Sequence, residues 1–112
     1  MNKQRRKEIN TIIKKLYALK SSITTGNKDI DITNILNDIS DNVSFILSDE
    51  EYYMDNMPEN LQNGCRYEQA EEACDNLENA MDCLRDISHK GDKEALLSNV
   101  DDAIDYLSEA AM

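Results

Sequence analysis

The sequence predicts an all-α protein, folded as an elongated antiparallel bundle of three long helices plus a shorter C-terminal helix. Apolar residues recur in alternating steps of three and four along most of the chain, which is the spacing of one buried helix face. Charged residues make up 31% and aromatic residues only 5%, a mix typical of long helices with narrow apolar faces. A chain of 112 residues supports one core, so we expect a single helical domain over residues 1–112.

The first two helices are predicted over about residues 3–24 and 31–55. Gly26 is expected to cap the first helix, because glycine adopts the left-handed conformation at little cost. Asp31 or Thr33 can accept a hydrogen bond from a free amide at the start of the second helix. The apolar positions are Ile9, Ile12, Leu16, Leu19 and Ile23 in the first helix, and Ile32, Ile35, Leu36, Ile39, Val43, Phe45, Ile46 and Leu47 in the second.

The third and fourth helices are predicted over about residues 64–89 and 93–110. Pro58 ends the second helix, because proline lacks an amide donor and disfavours helical geometry in the residue before it. Gly91 is the expected C-cap of the third helix, and Asp92 can begin the fourth. The apolar or small positions are Tyr67, Ala70, Cys74, Leu77, Met81, Leu84 and Ser88 in the third helix, and Leu97, Val100, Ile104, Leu107 and Ala111 in the fourth.

Charge is distributed unevenly along the chain. Residues 1–28 hold eight of the twelve Lys and Arg residues and one acid, Glu8, for a net charge of +7. Residues 29–112 hold four bases and 22 acids, for a net charge of −18, and the two parts add to the −11 of the whole chain. An acidic surface disfavours direct binding to nucleic acid or to an anionic membrane, because both are polyanions. A basic protein surface is the favoured partner.

The second helix is predicted to end on the acidic run Asp49, Glu50 and Glu51. Negative charges near a helix C-terminus oppose the helix macrodipole, so something must offset their cost. In an antiparallel arrangement the basic start of the first helix lies beside this run. We therefore expect the first helix to neutralise it.

Cys65, Cys74 and Cys83 are spaced by nine residues each, so neighbours in this set point to opposite faces of a helix. No two of them can bridge or share a metal within one helix, and we expect reduced thiols in an intracellular protein. The N-terminus has no apolar run or cleavage site of a secretory signal, and no stretch approaches a membrane span. The expected location is the cytoplasm, with no cofactor and no membrane partner.

Carboxylates recur every three or four residues along one side of the third helix, about 5–6 Å apart. Such a row resembles the charge density along a nucleic-acid strand, so the helix could occupy a basic nucleic-acid channel as a mimic. The alternative interpretation is a solvated face that only keeps the protein soluble. The acidic face that we predict to bind a partner comprises Glu68, Glu71, Glu72, Asp75, Glu78, Asp82 and Asp86, with Asp101, Asp102 and Asp105 on the fourth helix.

The segment between the second and third helices is rich in side-chain amides and lies at a helix N-terminus, where free backbone amides can bind anions. In this interpretation Arg66 binds phosphate and Tyr67 or Tyr53 stacks on a base. The alternative is a connecting loop whose amides cap helix ends. The candidate ligand-binding residues are Glu59, Asn60, Gln62, Arg66 and Tyr67.

No arrangement of residues predicts catalysis or a metal site. The only histidine, His89, is explained as a cation at a helix end, and no serine, aspartate and histidine are spaced to predict a nucleophile beside a base. The aspartates of the fourth helix lack the glycine turn and the spacing of a calcium loop. We therefore expect no enzyme and no metal.

The stretch MPENLQNGCRYEQAEEACDNLENAMDCL is similar to small acidic helical proteins of phages and prophages of Gram-positive bacteria. Those proteins carry a basic first helix, an acidic-aromatic stretch, a Leu-Pro-Glu-Ser-Leu-Gln-like motif and then an acidic heptad helix. Departures are Met57 for leucine, Cys65 for serine and an added turn over residues 88–94. The matching residues, within about residues 50–84, are Pro58, Glu59, Leu61, Gln62, Arg66, Tyr67, Glu68, Ala70, Glu71, Glu72, Ala73, Asp75, Leu77 and Glu78.

The resemblance implies a mobile element as the setting and the cytoplasm of a host cell as the location. Charge and setting together predict a non-enzymatic counter-defence protein that blocks a host nucleic-acid-targeting, CRISPR-like complex through its acidic face. One alternative is an oligomeric sponge that sequesters a nucleotide signal at residues 58–67. Another is a structural or adaptor protein of a phage or mobile element. Apolar surface left over on the second or fourth helix would favour a homodimer.

Overall fold

The computed structural model describes residues 2–25, 32–62, 64–87 and 93–111, and nearly all of these residues are helical. Within these ranges no strand is present, so the predicted all-α class is confirmed. The elements are α1 at Lys3–Thr25, α2 at Ile32–Asp55, a short 3-10 helix at Glu59–Leu61, α3 at Cys65–Ile87 and α4 at Lys93–Ala110.

The four helices form a closed ring in which each packs against its neighbours in sequence, and α1 packs against α4. Adjacent helices are antiparallel: Arg5 near the start of α1 contacts Glu50 near the end of α2, and Asn99 in α4 donates a hydrogen bond to the Cys83 carbonyl in α3. The molecule measures 53 × 21 × 19 Å, which agrees with the predicted elongated bundle. None of the described helices is both long and apolar enough to span a membrane.

The core follows the apolar spacing of the sequence. All five apolar positions predicted for α1 are buried, at most 8% exposed, and Leu36, Ile39, Val43 and Ile46 of α2 are equally inaccessible. Helices α3 and α4 form the most extensive helix pair. Small residues on both helices allow this close approach, since interaxial distance depends on side-chain size. The buried alanines of this pair are Ala70, Ala73, Ala80, Ala103 and Ala110.

The prediction that Phe45 widens the buried stripe of α2 is wrong, because its side chain is 71% exposed. The residue lies about 200° around the helix from Val43 and about 100° from Ile46, both of which face the core. The ring therefore points away from the bundle. It lines a shallow cavity of about 320 Å³ beside Lys15 and Asn42.

Several predicted features lie outside the described residues. These are the caps at Gly26, Asp31, Gly91 and Asp92, the last turn of the third helix with Ser88 and His89, and the side chains of Ile32, Thr33 and Asp86.

Candidate functional site

The acidic face of α3 consists of six described carboxylates that all lie on the outside of the bundle. They occupy an arc of about 120° around the helix axis, roughly opposite the buried positions Ala70 and Leu77. Heptad spacing of the apolar residues produces this arrangement, because positions between the buried ones must face solvent. The exposed residues are Glu68, Glu71, Glu72, Asp75, Glu78 and Asp82.

Ion pairs within the described chain leave most of this face unneutralised. Asp82 contacts Arg85 of its own helix at 3.4 Å, with both side chains about two-thirds exposed. The other five carboxylates make no ion pair with any residue that the structure describes. The face is therefore an anionic ridge about 21 Å long from Glu68 to Asp82, at 1.5 Å per residue, and it is bare over the roughly 15 Å from Glu68 to Glu78.

The acidic residues predicted on α4 are divided between two environments. Asp102 and Asp105 are exposed, whereas Asp101 accepts a hydrogen bond of 2.6 Å from Lys20 of α1. This hydrogen bond, partly offset by desolvation, raises the pKa of Lys20 above its usual 10.5. Asp101 is thus neutralised by the first helix. Among the described residues no cluster of three or more His, Cys, Asp or Glu side chains could hold a metal ion.

A second candidate site lies at the opposite end of α1, where Arg5 meets Glu50 of α2. The Arg5 Nε donates to the Glu50 carboxylate at 2.6 Å, with the two side chains 12% and 0% exposed. The guanidinium carbon of Arg5 also lies 5.6 Å from the centre of the Tyr53 ring, within range of a cation–π contact. The expected neutralisation by the first helix is therefore present at Glu50, where it is buried, whereas Asp49 and Glu51 are exposed and make no ion pair with any described residue.

Two adjoining cavities open beside this ion pair. The larger, about 690 Å³, lies between the start of α1, the end of α2 and the start of α3. The smaller, about 270 Å³, is lined by Asn2, Arg6 and Gln69. Three residues line both cavities, namely Arg5, Tyr53 and Arg66. The remaining residues of the larger cavity are Asp49, Tyr52, Asn56, Met57, Pro58, Leu61, Gly64 and Cys65.

The predicted ligand-binding residues occupy different places in this region. Arg66 lines both cavities. Glu59 and Asn60 are exposed on the 3-10 helix, Tyr67 is half-buried on α3, and none of these three lines either cavity. The Gln62 side chain donates to the Met57 carbonyl at 3.1 Å, so this amide holds the connecting segment in place.

Sequence reasoning placed the basic start of α1 beside the acidic end of α2, but it missed Arg5, Arg6 and Glu50 as residues of a site. Arg5 and Glu50 are 45 residues apart along the chain, and the antiparallel packing of α1 and α2 brings them together. One signal was available: Glu50 follows Leu36, Ile39, Val43 and Ile46 in the same rhythm of steps, which places it on the buried face of α2. A carboxylate on that face requires a cation, and the basic first helix supplies it.

Cys74 lies on the buried side of α3, where it contacts α2. Its Sγ is 3.6 Å from the Met54 Sδ of α2. Burial raises the pKa of the Cys74 thiol to about 12, with the charges of Glu50 and Glu51 adding to the effect. All three cysteines are free thiols, exposed at Cys65, partly buried at Cys83 and buried at Cys74. Cys74 therefore serves as a core residue and stays protonated at neutral pH.

No protein-family model, no curated protein and no solved structure matches this chain. The fold and the two candidate sites therefore identify only the structural class of this protein. It is a small antiparallel helical bundle with a bare acidic ridge on α3 and an arginine-lined cavity at one end.

Proposed function

We propose that this protein is a non-enzymatic binding protein whose acidic ridge engages a basic protein surface that otherwise holds nucleic acid. The ridge is the part of α3 that faces solvent, and it is carried on a rigid helix. A rigid row of charges loses little conformational freedom on binding, because the ordering cost is already met by folding.

The observation that carries the proposal is the linear density of exposed charge on α3. Five exposed and unpaired carboxylates from Glu68 to Glu78 span about 15 Å, or about one charge per 4 Å. One strand of a nucleic-acid duplex carries about one phosphate per 3.4 Å of helix axis. A groove of lysines and arginines spaced for phosphates therefore meets a closely similar row of anions.

The phage setting implied by the resemblance supports a specific kind of partner. In that setting the partner is a host nucleic-acid-targeting complex of CRISPR type, and the protein acts in the host cytoplasm as a counter-defence inhibitor. Complexes of this type hold a heteroduplex in a positively charged channel through its backbone. An acidic helix that fills such a channel would compete with the substrate.

Affinity purification from a bacterial lysate, with mass spectrometry of the retained proteins, tests the proposal. We expect a nucleic-acid-binding protein to be retained in dilute buffer and released by added duplex DNA. Retention should fall steeply at about 0.5 M salt, where charges are screened over a few ångströms. A partner held as strongly in that salt as in dilute buffer would contradict the mimic.

A matched pair of triple variants separates the ridge from net charge. Glu71→Gln, Asp75→Asn and Glu78→Gln remove three charges from the ridge, and we expect a loss of affinity of about tenfold, or about 1.4 kcal/mol. Asp38→Asn, Asp41→Asn and Glu109→Gln remove the same charge from exposed positions on α2 and α4. Equal losses in the two variants would show that net charge, and not the ridge, governs binding.

A further inference from the structure

We propose that the two cavities around Arg5, Tyr53 and Arg66 form one site for a nucleotide, with phosphate in the smaller cavity and the base in the larger. The site lies within a single chain and is built from α1, α2 and the start of α3. It is separate from the acidic ridge, so this inference does not depend on the proposed function.

The smaller cavity has the chemistry of a phosphate site. Three arginines, Arg5, Arg6 and Arg66, line it, and none of its lining residues is a carboxylate, although the buried Glu50 lies behind Arg5. A guanidinium presents planar, paired N–H donors that match phosphate oxygens, and it stays charged at any physiological pH. Glu50 neutralises Arg5, so the net positive charge around the roughly 270 Å³ cavity comes from Arg6 and Arg66, on a protein of net charge −11.

Arg5 is held in position before any ligand arrives. Its Nε donates to the fully buried Glu50, and its guanidinium carbon lies 5.6 Å from the Tyr53 ring centre. A guanidinium has five N–H donors, and the Glu50 bond uses one. A buried ion pair is weak evidence of a role in stability, because its desolvation cost offsets much of its attraction. Glu50 is therefore a positioning residue that fixes Arg5 at the wall of both cavities.

The larger cavity supplies a surface for the base. Its volume of about 690 Å³ falls within the range of small-molecule pockets. Met57, Pro58 and Leu61 form an apolar side, and the exposed Tyr52 ring and the Tyr53 ring, one face of which the Arg5 guanidinium covers, add aromatic surface. Asp49 and Asn56 add acceptor and donor groups that can pair with the edge of a base.

The different chemistry of the two adjoining cavities limits the class of ligand that can bind to both. An acidic peptide would satisfy the arginines but would leave the apolar, tyrosine-lined cavity without a matching group. A neutral aromatic molecule would fill the larger cavity but would leave the arginines unmatched. A nucleotide carries a flat aromatic base and a phosphate joined through one sugar. It can therefore place the base in the larger cavity and the phosphate in the smaller.

Thermal unfolding with a panel of ligands tests this inference. The panel is ADP, GDP and the cyclic dinucleotides of adenine and guanine at millimolar concentration, with adenosine and pyrophosphate as the two halves of the ligand. We expect at least one nucleotide to raise the Tm by about 5 °C or more, and by about 10 °C near a hundredfold excess over Kd. Each half alone should raise the Tm by much less.

Two arginine variants on α3 provide the control. Arg66 lines both cavities, whereas Arg85 lies at the far end of the same helix and is also exposed. Arg66→Ala should abolish the nucleotide-induced rise in Tm, and Arg85→Ala should preserve it, with both variants helical by circular dichroism. Arg5→Ala is unsuitable for this test, because it removes the guanidinium that the buried Glu50 binds.

Four results would overturn the inference. These are no rise in Tm with any nucleotide of the panel, a rise that survives Arg66→Ala, a full rise with pyrophosphate alone, and a concentration-dependent dimer that Arg66→Ala abolishes without any effect of nucleotide. The third result would show a simple anion site, and the fourth would assign the cavities to a second copy of this chain.

Discussion

Helix α1 makes two ion pairs of identical length in very different surroundings. Arg5 meets Glu50 of α2 and Lys20 meets Asp101 of α4, each with a nitrogen–oxygen distance of 2.6 Å. The side chains of the first pair are 12% and 0% exposed, and those of the second are 35% and 49% exposed. Solvent access, and not distance, is what distinguishes them.

The difference determines what each pair does. Water screens the Lys20–Asp101 pair, so its attraction is small and the main consequence is that one acid of α4 is neutralised. The Arg5–Glu50 pair is shielded from water, so its attraction is only weakly screened and the loss of Arg5 removes the guanidinium that Glu50 binds. The Lys20–Asp101 pair is a surface contact, whereas the Arg5–Glu50 pair fixes an end of the bundle and the wall of two cavities.

The largest effect that tests this comparison is expected from Arg5→Ala. Removing one partner of a buried ion pair costs about 3–5 kcal/mol, because the remaining charge loses its counter-ion in a place shielded from water. Arg5 retains slight exposure, so we expect the lower end of that range, which corresponds to a fall in Tm of about 10 °C. Differential scanning calorimetry measures this shift.

Replacing both partners gives the control for that prediction. The double variant Arg5→Met, Glu50→Leu removes both charges and keeps apolar volume in the same place. It should recover most of the stability lost in Arg5→Ala, since hydrophobic pairs often replace buried ion pairs at no cost. If Arg5→Ala alone has the Tm of the wild-type protein, the stability of the fold does not depend on the pairing of Glu50 with Arg5.

The reactivity of Cys74 gives a second, smaller test at the buried end. Because the pKa of Cys74 is raised to about 12, the fraction of reactive thiolate at pH 8 is very small, and burial restricts access further. We expect the exposed Cys65 to react with a thiol reagent at least about tenfold faster than Cys74. Peptide mapping by mass spectrometry after timed labelling resolves the two sites.

The same measurement distinguishes the two ion pairs. Arg5→Ala should accelerate labelling of Cys74, because Cys74 packs against Met54 close to Glu50 and senses any loosening of α2 from α3. Lys20→Ala should leave the rate unchanged. Equal rates for Cys65 and Cys74 in the wild-type protein would show that this end of the bundle is already open.

The fold was predictable from the sequence because the spacing of the apolar residues identifies the buried face of each helix. Ile9, Leu16 and Ile23 on α1 recur as a buried helix face requires, and all are buried. Phe45 shows the limit of that reasoning, since an apolar residue one step beside the stripe turned out to face solvent. Hydrophobicity alone does not identify the face on which a residue lies.

The candidate site was only partly predictable. Arg66 was recognisable because it lies at a helix start after an amide-rich segment, whereas Glu59, Asn60, Gln62 and Tyr67 of the same prediction do not line the cavities. The meeting of the basic start of α1 with the acidic end of α2 was expected, but the pair Arg5–Glu50 and the cavities beside it depend on the rotation and register of the helices in three dimensions. The exposed acids of α3 were predicted correctly as outward-facing, since helical spacing fixes the side of a residue but not its partner.

The smallest effect is expected at the exposed Lys20–Asp101 pair. The direction of its dependence on pH follows from the raised pKa of Lys20. The hydrogen bond to Asp101 raises the pKa of Lys20 above 10.5, so the folded state holds that proton more tightly than the unfolded state. The resulting stability is fully present below pH 10.5 and is lost as pH rises through the raised pKa.

Urea unfolding of two variants of α1 tests this effect. At neutral pH and low salt, the stability of Lys20→Ala should differ slightly from that of Lys14→Ala, because Lys14 is an exposed lysine on the same helix. The difference should vanish above that pH and at about 0.5 M salt, because the pair is open to screening ions. A difference that survived high salt would mean that the Lys20–Asp101 pair is as well shielded as the pair between Arg5 and Glu50.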